Sequence, residues 1–195
     1  SKANHYQKGN RNRKIMAISK IKSENVLICS DLHLCPENLE ITDFFCKWIL
    51  SQCDNKNSHI RPEWLLILGD LFDHWIGDDL IKSDRKNTFL SIINKLEKCF
   101  LTLKSRKISV GIMHGNRDFL MGDMLLGHLY ARQLDSLVKL KSSNNKNDIL
   151  LVHGDELCTD DTKHQVFRKL VNTSDWQEKF KSKPISERQK IAKSL

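Results

Sequence analysis

Four short apolar runs recur along the chain, and each is followed at once by a polar cluster. The runs are VLIC (26–29), WLLIL (64–68), ISVGIM (108–113) and DILLV (148–152). Their unbroken apolar character predicts strands that are buried on both faces. Between them, segments 41–53 and 88–103 carry apolar residues at helical spacing. Strands that alternate with helices predict an α/β fold.

The two ends of the chain follow other patterns. Residues 1–15 are polar and basic, so we predict a disordered basic leader that reaches residue 24. Met16 is a candidate natural start, which N-terminal sequencing of the native protein would test. Tract 142–148 predicts a polar turn that joins two neighbouring strands. From residue 164 the spacing becomes helical, and Pro184 predicts a break between two helices.

The net charge of +8 is unevenly distributed. Residues 1–24 and 163–195 each carry a net charge of +6, whereas residues 25–162 carry −4. A groove for nucleic acid needs positive charge on the folded core, so we predict no nucleic-acid partner. Basic flanking segments fit an anionic membrane surface better.

Cysteine spacing and apolar run length indicate the compartment. The six cysteines form no C-x-x-C pair, which predicts free thiols in a reduced, cytosolic protein. No apolar stretch approaches the roughly 18 residues that span a bilayer, and no signal peptide is recognisable. We therefore expect a chain that is neither secreted nor membrane-spanning.

The polar clusters after the four runs carry the candidate chemistry. They are SDLHL (30–34), GDLFD (69–73), HGNRD (114–118) and HGD (153–155). Each cluster alone is weak evidence for a metal site. A D-x-H sequence is more often a capped turn than a metal site, and a buried histidine is more often hydrogen-bonded than bound to a metal. Together they place two carboxylates, two imidazoles and one amide at the carboxyl ends of strands, where open α/β sheets bind ligands. The residues are Asp31, His33, Asp70, Asn116 and His153.

This donor set predicts a pair of divalent metal ions. Asp70 has two oxygens and can bridge both ions, while Asp31 and His33 hold the first and Asn116 and His153 hold the second. Mixed nitrogen and oxygen ligands suit Mn(II), and less selectively Zn(II), Fe(II) or Mg(II). Two such ions activate a bridging water and clamp phosphate oxygens. The predicted reaction is therefore hydrolysis of a phosphoester or pyrophosphate.

The order of the clusters resembles that of calcineurin-like metallophosphoesterases, from about Val26 to the last residue. That resemblance implies a β-sandwich flanked by helices. Most members have Asn-His in the third cluster, where this chain has Asn116-Arg117. Arginine keeps its proton near neutral pH, so Arg117 is expected to hold phosphate charge. The longer strings GDLFDHWIGDD (69–79), HGNRDFLMG (114–122) and HGDELCTDD (153–161) resemble those of the UDP-2,3-diacylglucosamine hydrolases.

The resemblance implies a function in lipid A biosynthesis. Members hydrolyse the pyrophosphate of UDP-2,3-diacylglucosamine to UMP and 2,3-diacylglucosamine 1-phosphate, using water activated by two Mn(II) ions. They act as peripheral proteins on the cytoplasmic side of the bacterial inner membrane. The family's pattern makes Asp70, Asn116 and Arg117 catalytic, and Asn116, Arg117 and Asp161 substrate-binding. A helix N-cap is the alternative role for Asp161.

The resemblance also implies a division of the chain. Residues 1–24 are the leader, 25–163 a partial metallophosphoesterase core, and 164–195 a truncated helical insertion, which in the family covers the acyl chains. His164 stands where the family more often has tyrosine. His74 and His114 are assigned to packing or to support of the ligands, and Trp75 to packing beneath the site.

The chain departs from the family at its C-terminal side. It has no Gly-His-x-His motif, whose histidines supply one ligand to each metal. We therefore expect a truncated product with an open metal site, an exposed sheet edge and little activity alone. One alternative is another binuclear metallophosphoesterase, such as a nuclease or nucleotide phosphatase. The other is an inactive fold that serves as a basic binding module.

Overall fold

The structure, a computed structural model, describes residues 17–54, 61–83, 89–142 and 147–194. The strands within these ranges are β1 (Ile18–Lys22), β2 (Val26–Cys29), β3 (Trp64–Leu68), β4 (Ser109–Met113), β5 (Ala131–Leu134), β6 (Leu137–Lys141) and β7 (Ile149–Leu151). The α-helices are α1 (Leu39–Gln52), α2 (Phe89–Ser105), α3 (Asp123–His128), α4 (Thr162–Val171), α5 (Ser174–Lys181) and α6 (Ile185–Lys193). The α/β prediction is confirmed.

The first sheet is parallel, with strand order β2-β3-β4-β5. Helix α1 lies between β2 and β3 in the chain, and α2 between β3 and β4, so each serves as the crossover that parallel neighbours require. Both helices pack against one face of the sheet, where Ile49 and Phe100 are fully buried with Leu65 and Ile67. This cluster is the main core and holds the carboxyl ends of β2, β3 and β4 at one edge.

The second sheet has the order β1-β6-β7, with β1 parallel to β6 and β6 antiparallel to β7. Successive side chains of a strand point to opposite faces. Thus Leu66 and Met113 of the first sheet face away from the helices and pack with Ile21 and Val138 of the second sheet. The two sheets form the predicted β-sandwich, with α1 and α2 on its outer side.

Three helices follow the sandwich. The Asp161 carboxylate accepts the N–H of His164 at 2.9 Å and so caps α4, while the Thr173 hydroxyl accepts the N–H of Trp176 and caps α5. Pro184 directly precedes α6, so the predicted break there is confirmed. A further break between α4 and α5 was not predicted. None of the helices in the described ranges combines the length and apolar character needed to cross a bilayer.

The predicted leader is partly wrong. Residues 18–22 form β1, which pairs with β6 from Ile18 and Leu137 to Lys22 and Lys141. The segment ISKIK has only two apolar residues, and its partner lies more than a hundred residues away, so no local pattern indicates the pairing. Residues 1–16, and the proposed start at Met16 with them, lie outside the described residues.

Burial on both faces holds for β3 and β4 but not for the outer strands. Ile28 of β2 is 43% exposed and Leu150 of β7 is 63% exposed. Both strands lie at sheet edges, where the described chain places no further strand over them. The predicted hairpin is confirmed by the antiparallel β6–β7 pair, although residues 143–146 of its turn lie outside the described ranges. Strand β5 and helix α3 were not predicted.

Candidate metal centre

The polar clusters meet at one edge of the sandwich. Because β2, β3 and β4 are parallel neighbours, the loops that follow them lie side by side. The loop after β7 arrives from the second sheet, and the Nδ1–H of His153 donates to the Leu68 carbonyl at 2.8 Å. The structure therefore brings together all four clusters, although the fourth belongs to a different sheet.

The first two loops adopt a strained backbone. Asp31, His33 and Asp70 have φ of 55°, 47° and 51°, a left-handed conformation that costs about 1–3 kcal/mol per non-glycine residue. The loops hold each other in place, since the N–H of Asp31 donates to Gly69 O at 3.2 Å and the N–H of His33 to Asp70 O at 3.0 Å. Such strain is typical of residues that are held for function.

Asp70 lies at the middle of the cluster. Its side chain is 4% exposed, and burial raises the pKa of its carboxyl. Oδ1 accepts the backbone N–H of Arg117 at 2.8 Å, which leaves Oδ2 for the two histidines. It lies 3.9 Å from Nε2 of His33 and 3.7 Å from Nε2 of His153. Asp31, Asp70 and His153 offer ligand atoms that all lie within 4.8 Å of one another.

The donor set fits a cation. A carbonyl oxygen can only accept, so the hydrogen bond to Leu68 places the His153 proton on Nδ1 and leaves a lone pair on Nε2. That lone pair faces Asn116 Oδ1 at 3.2 Å and Asp70 Oδ2 at 3.7 Å. Three acceptors directed at one another repel unless a positive ion lies among them. His33 stands on the other side of Asp70, with its Nε2 4.0 Å from Asp31 Oδ1.

Two carboxylates to which the sequence pattern assigned no role support the candidate ligands. Asp118 is fully buried and accepts the N–H groups of Leu71 at 2.7 Å and Gly115 at 2.8 Å, which ties the second cluster to the third. Burial raises the pKa of Asp118 to about 6. Asp73 Oδ1 lies 3.7 Å from Nδ1 of His33. The sequence shows a carboxylate two positions after Asn116. Its role could not be predicted, because its partner Leu71 reaches it only in the fold.

A cavity of about 750 Å³ opens beside the centre. Asn116 and Arg117 line it on the core side, and helices α4 to α6 form the opposite wall. The apolar part of its lining consists of Trp75, Ile76, Phe119, Leu120, Leu134, Phe167, Val171, Trp176, Phe180 and Ala192. The basic part contains Lys163, His164 and Arg168, in addition to Arg117. Asn116 links the cavity to the acceptor cluster, because it lines the cavity and its Oδ1 lies 3.2 Å from Nε2 of His153.

The remaining predicted residues occupy different places. Asp161 is exposed, caps α4 and does not line the cavity, so its contact with a substrate stays a prediction. Trp75 is 2% exposed and its Nε1–H donates to Asp78 at 3.0 Å, which confirms its packing role. His74 packs edge-on against Phe89. Burial lowers the pKa of His114, which lines the cavity.

A family model for calcineurin-like phosphoesterases matches residues 24–193 of the chain. The chain belongs to the calcineurin-like phosphoesterase family. Membership implies a site for divalent metal ions, and Asp31, Asp70 and His153 form a cluster that can hold one.

Curated members of the same family resemble the chain over most of its length. A UDP-2,3-diacylglucosamine hydrolase from Cellvibrio japonicus is 35% identical over 176 residues, which is 88% of this chain and 65% of the relative. The enzyme of that name from Bordetella pertussis is 35% identical over 85% of this chain and 58% of its own length. The enzyme of that name from Wigglesworthia glossinidia is 37% identical over 86% of this chain and 61% of its own length. The chain thus spans 58–65% of the length of these relatives.

Proposed function

We propose that the protein hydrolyses the pyrophosphate bond of UDP-2,3-diacylglucosamine to UMP and 2,3-diacylglucosamine 1-phosphate, a step of lipid A biosynthesis. The observation that carries the proposal is a cavity with aromatic lining that reaches the acceptor cluster through Asn116, whose Oδ1 lies 3.2 Å from Nε2 of His153. A substrate with a diphosphate and two acyl chains needs both features in one site. The names of the relatives point to the same substrate.

We assign two Mn(II) ions to the centre. Asp31 and His33 would hold one ion, Asn116 and His153 the other, and Asp70 would contact both. When bound, such ions acidify a water molecule and offset the charge on phosphate oxygens. The fit rests on the lone pairs of Asp70, His153 and Asn116, which face one another at 3.2–3.7 Å.

Asp70, Asn116 and Arg117 are the proposed catalytic residues. The backbone N–H of Arg117 fixes Asp70 Oδ1, so that Oδ2 stays directed into the centre. The Arg117 side chain lines the cavity, and its guanidinium can bind two phosphate oxygens at once. Because arginine stays protonated, we assign Arg117 to charge stabilisation and not to proton transfer.

The walls of the cavity suit the two parts of the substrate. Trp176 stacks on Phe180 at 4.8 Å between ring centroids, and Phe119 lies 6.0 Å from Trp176. These rings offer apolar surface for acyl chains. Lys163 lines the cavity and carries charge suited to a nucleotide, whereas Arg168 is held in ion pairs with Asp155 and Glu156. Asp161 is proposed to contact the substrate with the carboxylate oxygen that does not cap α4.

We further propose that the protein works as a peripheral protein on the cytoplasmic side of the bacterial inner membrane. Val166 and Leu170 are one turn apart on α4 and are 67% and 52% exposed. Lys163 and Lys169 are exposed on the same helix. Apolar residues flanked by lysines are suited to the interface of an anionic bilayer.

Release of UMP from UDP-2,3-diacylglucosamine, with and without Mn(II), tests the function. Since the relatives are longer, we would assay this chain and the same chain extended by the part of the Cellvibrio japonicus enzyme that lies outside the match. Mn(II)-dependent release by either protein supports the proposal. Mn(II)-dependent cleavage of bis(4-nitrophenyl) phosphate without UMP release would favour another metallophosphoesterase. Salt-sensitive binding to anionic vesicles or DNA, without any hydrolysis, would favour a binding module.

A further inference from the structure

Arg188 of α6 is a charged residue that is 1% exposed. Its guanidinium meets three separate acceptors. Nη1–H donates to the Ile76 carbonyl at 2.6 Å and to Asp79 Oδ1 at 2.9 Å, Nη2–H donates to Asp79 Oδ2, and Nε–H donates to the Lys183 carbonyl at 2.9 Å. The side chain therefore joins α6 to segment 76–79, which follows the second polar cluster.

The receiving segment is shaped around this guanidinium. Gly77 has a φ of 131°, and a methyl group built on it would lie 2.8 Å from Arg188 Nη1 and 2.9 Å from Asp79 Oδ1. The neighbouring Asp78 accepts the N–H groups of Gly122 at 3.0 Å and Leu125 at 2.9 Å. The segment is thus anchored to the core by Asp78 and to α6 by Asp79.

The helices held in this way form one side of the cavity. Trp176 and Phe180 of α5 and Ala192 of α6 line it, and so does Ile76, which accepts directly from Arg188. A second ion pair between α6 and the core joins Lys193 to Glu37 at 3.3 Å, but both side chains are 63% exposed. Exposed pairs of that kind contribute little. In the Arg188–Asp79 pair the arginine side chain is 2% exposed, and leaving a buried charge without its partner is strongly destabilising.

We infer that Arg188 is a positioning residue, which holds α5 and α6 as the apolar wall of the cavity and so sets affinity for the substrate. The effect on substrate affinity rests on the proposed function. The effect of Arg188 on the position of α5 and α6 does not. A wall that opens part of the time lowers the apparent affinity by the fraction of closed molecules. The metal centre needs none of these contacts. Loss of the Arg188 contacts should therefore raise KM and leave kcat nearly unchanged.

Arginine at this position is not interchangeable with lysine. A lysine ammonium is a single point charge, whereas the planar guanidinium reaches acceptors that lie in different directions. Arg188→Lys can still pair with Asp79 but cannot meet the Ile76 and Lys183 carbonyls at the same time. We expect Arg188→Lys to restore little of the function that Arg188→Met loses.

The test compares Arg188→Met, Arg188→Lys and Asp79→Asn with Lys193→Gln as the matched control. Lys193→Gln breaks the exposed pair between the same helix and the core. Hydrogen exchange followed by mass spectrometry reports opening of α5 and α6 separately from β3 and β4. Steady-state kinetics gives KM and kcat for UDP-2,3-diacylglucosamine, and the turnover of bis(4-nitrophenyl) phosphate as a small substrate.

We expect amide exchange in α5 and α6 to rise at least about tenfold in the three variants, with exchange in β3 and β4 unchanged. KM for the lipid substrate should rise about tenfold, and turnover of the small substrate should stay constant. Lys193→Gln should behave as wild type. Should Arg188→Met not fold, Asp79→Asn decides the matter, because the Asp79 carboxylate is about half exposed and its replacement by a neutral amide leaves the buried arginine without a counter-charge.

Unchanged exchange in α5 and α6, or an equal rise across all elements, would overturn the inference. The second outcome would make Arg188 a residue of general stability only. The exchange result does not need catalysis, so it stands even if UDP-2,3-diacylglucosamine proves not to be the substrate. Selective opening of α5 and α6, without UMP release by either this chain or its extended form, would support the role of Arg188 and reject the proposed substrate.

Discussion

Replacing Asp70 by asparagine removes the charge at the middle of the metal centre and keeps the shape of the side chain. The asparagine carbonyl oxygen can still accept the Arg117 N–H that Asp70 Oδ1 accepts at 2.8 Å. The amide nitrogen then takes the place of Oδ2 and faces Nε2 of His153, 3.7 Å away in the wild type. A donor at that position cannot bind a cation. We therefore expect Asp70→Asn to fold and to lose metal binding.

The size of the effect follows from linkage between binding and folding. A ligand present at one hundred times its Kd stabilises the folded state by about 2.7 kcal/mol. For a domain of this size each kcal/mol raises Tm by about 2–4 °C, so each bound Mn(II) should raise the wild-type Tm by about 5–11 °C. In Asp70→Asn the rise should fall below about 1 °C, since the same relation gives almost no stabilisation without binding. Burial raises the pKa of the Asp70 carboxyl, so the neutral amide should not destabilise the ion-free protein.

Differential scanning calorimetry after chelation gives the Tm of the ion-free protein, and titration with Mn(II) then gives the rise in Tm. Asp123→Asn serves as the control, because it removes an exposed carboxylate at the start of α3 and leaves the centre intact. Asp70→Ala should in addition abolish any Mn(II)-dependent hydrolysis. A full Mn(II) shift in Asp70→Asn would refute the assignment of Asp70 as the shared ligand.

Three further outcomes are expected. Arg117→Ala should weaken substrate binding while the Mn(II)-induced rise in Tm stays as in wild type; lost metal binding would show that its role is misplaced. Gly115→Ala should lower stability and metal affinity together in calorimetry, because a methyl group there would overlap the carboxylate of Asp70. Arg188 lowers the pKa of the Asp79 carboxyl, so the stability lost in Asp79→Asn should be full above about pH 4, the unfolded value, and should vanish as pH falls through the lower folded value. Urea unfolding at pH 7 and pH 3 measures that difference, and an equal loss at both would contradict it.

The strands that carry the centre could be predicted because their signal is local. WLLIL forms β3 over its full length, and VLIC forms β2. Each run is followed by its polar cluster, so chain order alone indicated which residues lie at strand ends. In contrast, β1 has a weak apolar pattern and forms only by pairing with β6. The edge position that exposes Ile28 and Leu150 likewise depends on which strands lie beside them.

The sequence by itself determined the α/β class, the positions of the chemical groups and the donor types of the centre, because these follow from short windows of residues. The tertiary structure alone decided how those groups are oriented. Only folding brings the carbonyl of Leu68 to the Nδ1 of His153, so that Nε2 faces Asn116. Only folding places Arg188 against Asp79, which lies more than a hundred positions earlier in the chain. Such contacts join residues that are far apart in sequence, and the free energy that selects them comes from burial of the whole core.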